Sequence, residues 1–421
     1  MNVPKFNERE KALEDEYIRR KEALSLTQPP VHIATSTGQS PPPTLLASIL
    51  RVYDVLTNIM LRHLGKSSIY TQYKLIVAIL LILIFTLLPK TNVSSTRPEL
   101  LFTAPPEPRE AAANATLGFH KLLTLSSKPS WRTRGLLAAA KLTELDFTIP
   151  PQPRNPEDFV VAFENIGRDQ GKTPKHGSAT AWIAHLDLLK FVIASNFETG
   201  LIVEDDVDWD VRIKDQVKLI SDTVRNYTHV PDSDPTPYGT EWDILWLGHC
   251  GAGIDGVPPG QMYADDTRAP MDNYVSWSKD YIKDHFPEGQ RQIQFSTQTV
   301  CTFGYGVTKA SAQKILDLLA RGADEASDVA LSHRCMVRSL QCLVVNPEIM
   351  YHYEPSRDLG YVSPVDAGDG EGEAASEEAF EFIKGQTLNI LESARCKALF
   401  DETCPCTNGC DAWEREGRSM M

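Results

Sequence analysis

Residues 201–208 read LIVEDDVD, an apolar run that ends abruptly in acidic residues. A short β-branched run bounded by polar residues is typical of a buried parallel strand. In open α/β sheets, ligands bind beyond the carboxyl ends of such strands. Carboxylate and phosphate oxygens are the ligands that Mg²⁺ and Mn²⁺ prefer. We therefore expect a divalent cation, held against a diphosphate, at the end of this strand.

Three simpler interpretations of the acidic cluster compete with a metal site. Acidic clusters most often belong to solvated surface, although the preceding apolar run argues against exposure here. Asp206, Asp208 and Asp210 alternate as the ligands of a calcium loop do. That loop needs Gly and Glu where this chain has Val211 and Val217, so it is excluded. Asp208 or Asp210 could also cap a helix beginning near Val211, which is compatible with metal binding.

The composition of the chain indicates a globular protein. It has 421 residues, of which 42% are hydrophobic, and it exceeds the usual size of one domain. The formal net charge of -14 argues against a nucleic-acid partner.

A membrane anchor is expected near the N-terminus. Residues 75–88 read LIVAILLILIFTLL, with lysines on both sides. A helix of that length spans about 21 Å, short of the ~30 Å hydrocarbon core. Residues 69–89, with Lys74 snorkelling, reach far enough. We expect a single transmembrane helix there, preceded by a cytosolic tail (1–68) with disordered and amphipathic segments. A core helix of a soluble protein is the alternative.

Cysteines and glycosylation motifs indicate which side of the membrane the main domain occupies. Acceptor patterns for N-glycosylation begin at Asn92, Asn114 and Asn226, all after the apolar segment. The same holds for every cysteine, and an even cysteine count confined to one side indicates disulfides in an oxidising compartment. These observations predict a type II protein of the Golgi or endoplasmic reticulum membrane with a lumenal domain. The eight cysteines are Cys250, Cys301, Cys335, Cys342, Cys396, Cys404, Cys406 and Cys410.

The remaining chain divides into three parts. Residues 90–117 are rich in Pro, Ser, Thr and Ala and are expected to form a stem. Residues 118–360 alternate strand and helix patterns, which predicts an α/β domain with a mostly parallel sheet, residues 252–291 forming loops over the site. Residues 361–421 contain an acidic loop and a Cys-rich segment, whose spacing lacks the knuckles of common zinc sites and favours disulfides.

Four motifs of this domain resemble a known family. They are GSATAWIAHL (177–186), LIVEDDV (201–207), WDILWLG (242–248) and TFGYGVTKA (302–310). Together they are similar to glycosyltransferase family 25, the lipopolysaccharide and collagen sugar-transferase family, and particularly to its fungal membrane-anchored members. The resemblance covers residues 118–355. The chain departs from it at Ala184, where many members have Ser, and in a first strand without the usual Asn-Leu ending.

The resemblance implies a GT-A-like, single nucleotide-sugar-binding domain. It implies a UDP-linked donor, Mn²⁺ or Mg²⁺, and inverting transfer of a hexose, galactose or glucose, to a glycan or glycoprotein acceptor. Asp206 would bind the cation, with Asp208 as an alternative ligand and His352 as a further one. Glu204 and Asp205 would contact the ribose or support the ligands.

Inversion needs a carboxylate that takes the proton of the acceptor hydroxyl. Asp328 is the first choice, since it precedes an apolar helix and matches an aspartate of the family. Asp324 and Glu325 are alternatives, and a helix N-cap is the structural interpretation of Asp328. His185 ends the first motif and is placed near the donor by the resemblance, although a buried core histidine is the competing interpretation.

Trp131 and Arg132 follow the first strand, where a base and phosphates could be met by stacking and charge. Placement on the surface is the alternative.

Two other function classes remain open. One is a catalytically inactive membrane protein that binds a sugar nucleotide or glycan, and the other is a membrane-tethered adaptor that acts through its cytosolic tail. The oligomeric state is not predicted.

Overall fold

The computed structural model of the protein describes residues 106–253, 257–355, 360–373, 380, 383–385 and 387–401. The predicted cytosolic tail (1–68) and membrane anchor (69–89) lie outside this part of the chain, as does most of the stem. No helix among the described residues has the length and apolar character needed to cross a membrane.

The described residues form one mixed sheet with helices around it. Its strands are β1 (Lys121–Leu125), β2 (Phe147–Thr148), β3 (Thr199–Glu204), β4 (Val207–Trp209), β5 (Ile244–Gly248), β6 (Gln261–Ala264), β7 (Gln290–Phe295), β8 (Gly304–Thr308), β9 (Cys342–Asn346) and β10 (Met350–His352). The main order is β2-β1-β3-β8-β5-β9-β7-β6, and β10 pairs with β4 and β5. Along this path only β7 and β8 oppose the common direction. The predicted α/β fold with a mostly parallel sheet is therefore confirmed.

The helices cover both faces of the sheet. They are α1 (Pro108–Ala112), α2 (Trp131–Leu142), α3 (Glu157–Ile166), α4 (His176–Ala194), α5 (Ile213–Tyr227), α6 (Lys279–His285), α7 (Lys309–Leu319), α8 (Ser327–Met336), α9 (Pro364–Gly368) and α10 (Ala394–Phe400). One core packs α5 and part of α2 against the sheet, and a second packs α4, α7 and α8 against its other face. This arrangement leaves the ends of β3 and β8 accessible.

Two stretches differ from their sequence-based expectation. Residues 252–291 were expected to be loops, yet they contain β6, α6 and the start of β7. The strand expected over 299–308 begins only at Gly304, because residues 299–303 turn away from the sheet and carry the Cys250–Cys301 disulfide. This turn brings Thr302 and Phe303 to the open edge of the sheet.

The described residues contain two complete disulfides, which confirms the expectation of disulfide bonding. Cys250 pairs with Cys301 and Cys335 with Cys342. Cys396 is also disulfide-bonded. The three last cysteines of the chain lie outside the described residues.

Candidate active site

The acidic motif forms a tight turn where β3 ends. The apolar residues 201–203 are completely buried in the sheet, and β4 begins immediately after Asp206. The backbone of the turn is held from two sides. The Tyr353 amide donates a hydrogen bond to the Asp206 carbonyl at 2.7 Å, and the Arg395 guanidinium donates one to the Asp205 carbonyl at 2.9 Å. The positions of the two carboxylates are thus determined by surrounding structure.

A cleft of about 750 Å³ opens above this turn. The structure brings together around it most of the side chains that the sequence singled out. Those that line it are Arg132, His185, Glu204, Asp205, Asp206, Asp328 and His352. Trp131 and Asp208 do not belong to its lining.

Arg132 forms an ion pair with the acidic turn. Its Nε lies 3.1 Å from Oδ1 of Asp205, and its Nη1 lies 4.0 Å from Oδ2 of Asp206. Ser126 donates a hydrogen bond to the other oxygen of Asp205 at 2.5 Å. Burial raises the pKa of the Asp205 carboxyl to about 6, although the Arg132 guanidinium acts in the opposite direction.

Asp206 differs from its neighbour. Burial alone would raise its pKa, but three basic neighbours outweigh burial, so the pKa lies below its ordinary value. Its Oδ1 atom is buried and has no hydrogen-bond partner among the described residues. A buried, ionised oxygen without a partner is costly unless a ligand satisfies it. The basic neighbours are His352, Arg132 and Arg395.

The donor set around Asp206 suits a cation that is completed by a ligand. Within the described part of the chain, no group of three His, Cys, Asp or Glu side chains could hold a metal ion. His352 lines the same cleft, and its ring stacks on Phe303 at 5.1 Å between centroids. Its Nδ1 lies 3.7 Å from the Glu354 carboxylate. A cation here would take one or two protein ligands and obtain the others from phosphate and water, as Mg²⁺ commonly does.

A chain of hydrogen bonds connects His185 to Glu204. The two ring nitrogens of His185 lie 3.1 Å from the Tyr305 hydroxyl and 3.2 Å from Oγ1 of Thr302. Thr302 in turn donates to Oε1 of Glu204 at 2.7 Å. His185 is therefore a buried histidine with both ring nitrogens hydrogen-bonded, as the core interpretation predicted. Through Thr302 it also orients the Glu204 carboxylate of the cleft. Thr302 was missed because its motif was interpreted only as a strand.

Asp328 lies in the first turn of α8, and the N-cap of that helix is Ala326. The N-cap interpretation of Asp328 is therefore wrong. Its Oδ2 accepts a hydrogen bond from the Cys301 amide at 2.7 Å. Cys301 has a φ of 65°, so this carboxylate supports a backbone conformation that few non-glycine residues adopt.

The two alternatives to Asp328 interact elsewhere. Asp324 pairs with His333 at 2.6 Å, and Glu325 pairs with Lys172 at 3.0 Å. Neither of them lines the cleft.

Asp208 has a structural role instead of a position at the cleft. It is completely buried and accepts hydrogen bonds from the backbone amides of Trp209 at 2.8 Å and Arg395 at 2.9 Å, and from the Ser393 hydroxyl. These contacts attach the start of α10 to β4. Asp210 acts similarly, since it accepts from the amides of Arg212 and Glu392. The geometry therefore favours Asp206 over Asp208 as a metal ligand.

The Trp131 side chain packs inside the protein and does not face the cleft. It is 8% exposed and belongs to a small aromatic cluster beside α10. Its ring contacts Tyr353, Tyr361 and Phe380 at centroid distances of 6.1 to 6.4 Å. Neither stacking on a base nor exposure on the surface agrees with this position.

A wall of the cleft was missed by the sequence interpretation. Helix α9 and its N-cap Ser363, which the sequence interpretation assigned to the C-terminal segment, line the cleft. A Cβ at Gly177 would lie 2.1 Å from the Val365 carbonyl oxygen, so glycine is needed for α4 to approach α9. Ser178 adds two hydrogen bonds to the Asp369 carboxylate. No local signal distinguishes these residues from an ordinary acidic loop.

No family model matches this chain, and no curated protein matches it. The resemblance to glycosyltransferase family 25 therefore rests on the four motifs alone. Three of those motifs, 177–186, 201–207 and 302–310, contribute residues to the cleft.

Proposed function

We propose that this protein is a metal-dependent glycosyltransferase with a GT-A-like domain. It transfers a hexose, galactose or glucose, with inversion from a UDP-linked donor to a glycan or glycoprotein acceptor. The observation that carries the proposal is the buried, ionised Asp206, whose Oδ1 has no hydrogen-bond partner among the described residues and which lines a cleft with room for a nucleotide sugar.

The roles of the other residues follow from their positions. Asp206 and His352 would hold Mn²⁺ or Mg²⁺, and the cation would neutralise charge on the leaving diphosphate. Arg132 supplies a fixed positive charge on the same side. Asp205 and the Thr302-oriented Glu204 bind the donor ribose or support the ligands. Asp328, which lines the same cleft, takes the proton of the acceptor hydroxyl.

Disulfides and exposed glycosylation motifs support a lumenal location. The Cys250–Cys301 and Cys335–Cys342 bonds require an oxidising compartment. Asn114 and Asn226 are both exposed, as glycan acceptors must be. We therefore propose a single-pass type II protein of the Golgi or endoplasmic reticulum membrane, anchored by residues 69–89.

The test is UDP binding by the full chain, expressed in a secretory host and extracted in detergent. Calorimetric titration with and without Mn²⁺ is expected to show binding that requires the metal. Asp206→Asn should weaken it at least tenfold, about 1.4 kcal/mol, because the ligand charge is lost while the side-chain volume is kept. Asp272→Asn, an exposed acid away from the cleft, is the control and should bind as the wild type does. If the folded wild type does not bind UDP, the proposal of a UDP-linked donor is refuted.

A catalytically inactive sugar-nucleotide-binding protein is the second candidate. It is favoured by the ion pair of Arg132 with Asp205, because a guanidinium already supplies positive charge where a cation would be needed. This candidate predicts UDP binding that survives a chelator, with neither transfer nor hydrolysis of the donor. Metal-dependent release of UDP from a UDP-hexose would exclude it.

A further inference from the structure

Trp277 differs from the other described tryptophans in its exposure. The other five are at most 8% exposed, whereas Trp277 is 53% exposed. Large aromatic side chains stabilise a fold most when they are buried, so an indole with half of its surface exposed is unusual in a stable domain. Its neighbour Val275 is also exposed, at 46%. Two apolar side chains of this loop are therefore exposed, and Trp277 is the larger of them.

The loop that carries this indole is firmly attached on both sides. Before the tryptophan, Val275 exchanges two hydrogen bonds of 2.7 Å with the Asn389 side chain. The Ser276 hydroxyl and the Trp277 amide both donate to the carbonyl of Cys250, at 2.9 and 3.3 Å. The exposure of the ring is thus a property of an ordered loop.

These contacts place Trp277 at the edge of the cleft. Cys250 lines the cleft and is bonded to Cys301, whose amide is held by Asp328. The indole lies against the next residue, Gly251, where a Cβ would come within 2.5 Å of the indole Nε1. Gly251 also has a φ of 142°, a conformation that favours glycine. The ring is therefore positioned beside the disulfide wall, on the side of the proposed base.

We propose that Trp277 is an acceptor subsite that binds a neutral pyranose ring, so that the acceptor is a glycan and not a bare peptide hydroxyl. This inference rests on the proposed function. A pyranose presents a face of C–H groups that stacks on an indole, while its hydroxyls remain hydrated at an open edge. Asp328 accepts a hydrogen bond from the Cys301 amide beside this wall, and its carboxylate favours a neutral acceptor over an anionic one.

The position also sets a minimum size for the acceptor. Trp277 does not line the cleft itself, so the sugar that it binds lies one step away from the reacting hydroxyl. The acceptor must then extend out of the cleft across Cys250. A disaccharide or longer glycan meets this requirement.

The experiment measures saturation transfer from the full chain to lactose and maltose at millimolar concentration, in the presence of UDP and Mn²⁺. Wild type should transfer saturation to ring C–H protons of at least one disaccharide. Trp277→Ala should weaken that binding about tenfold, Trp277→Phe should keep most of it, and Val275→Ala should leave it unchanged. UDP binding should be equal in all four proteins.

The possible outcomes separate this inference from the proposed function. Equal disaccharide binding by Trp277→Ala and wild type, or no disaccharide binding by a wild type that binds UDP, would overturn the subsite. If the protein binds a disaccharide in a Trp277-dependent way but does not bind UDP, the acceptor subsite is supported and the proposal of a UDP-linked donor is refuted.

Discussion

Asp205 and Asp206 are adjacent in the chain, yet their surroundings shift their pKa values in opposite directions. Asp205 accepts from Ser126 and pairs with Arg132, but burial dominates and raises its pKa to about 6. The basic neighbours of Asp206 lower the pKa of its carboxyl, which therefore remains ionised. In the proposed site the ionised member is the metal ligand, and the other is neutral at mildly acidic pH.

The raised pKa of Asp205 predicts a pH-dependent stability. With an unfolded pKa near 3.9, the folded protein binds more protons between about pH 4 and 6, so the free energy of unfolding falls as pH rises through that window. The loss amounts to about 3 kcal/mol. Asp205→Asn should remove this part of the pH dependence.

The measurement is denaturant unfolding of the chelator-treated protein at pH 4.5, 5.5 and 6.5. Comparing wild type with Asp205→Asn cancels the contributions of other acids, including Asp208 and Asp210, whose pKa values burial also raises. Parallel profiles for the two proteins would contradict the assignment.

At the scale of elements, α10 belongs to the site although it begins more than twenty positions after Gly368, which lines the cleft. Ser393 caps this helix by accepting from the Cys396 amide at 2.9 Å, and its hydroxyl also donates to Asp208. Arg395 reaches from α10 to the carbonyls of Arg132 and Asp205 at 3.0 and 2.9 Å. The helix therefore supports the acidic turn from below.

Ser393→Ala is expected to destabilise the protein by about 2 kcal/mol, because it removes a cap and leaves the buried Asp208 carboxylate short of a donor. It should also weaken UDP–Mn²⁺ binding, since the turn loses support. Thr308→Ala removes the cap of α7, where Thr308 accepts from Ser311 at 3.0 Å, and serves as control. It should lower stability by about 1 kcal/mol without changing UDP binding. Equal effects of both variants on UDP binding would contradict a specific role of α10.

At the scale of the whole molecule, glycosylation tests the proposed lumenal placement of the domain. Asn114 and Asn226 lie on exposed positions, the first in a turn after α1 and the second near the end of α5. Full-length protein from a eukaryotic host should migrate faster on a gel after its N-glycans are removed enzymatically. Asn114→Gln and Asn226→Gln should each eliminate one shift, whereas a protein without any shift would contradict lumenal placement.

The sequence alone predicted most of the secondary structure on which the site is built. Local patterns were sufficient for α4 and β3, because a long amphipathic repeat and a buried apolar run are short-range signals. The apolar run ending in acids pointed to Asp206, whereas the resemblance to glycosyltransferase family 25 pointed to His185 and Asp328, and all three line one cleft. The sequence favoured Asp206 over Asp208 as metal ligand only because Asp206 lies nearer the end of the strand, since the two side chains have the same chemistry.

What the sequence by itself determined is the α/β class, the mostly parallel sheet and the acidic turn at the end of β3, all of which depend on hydrophobic periodicity within a few residues. Only the tertiary structure decided that Asp208 attaches α10, that Trp131 is buried in an aromatic cluster, and that α9 closes the cleft. Each of these depends on contacts across more than a hundred residues, such as Asp208 with Ser393 and Gly177 with Val365. Periodicity carries no information about such partners, because burial of a polar or aromatic side chain is determined by what the fold brings against it.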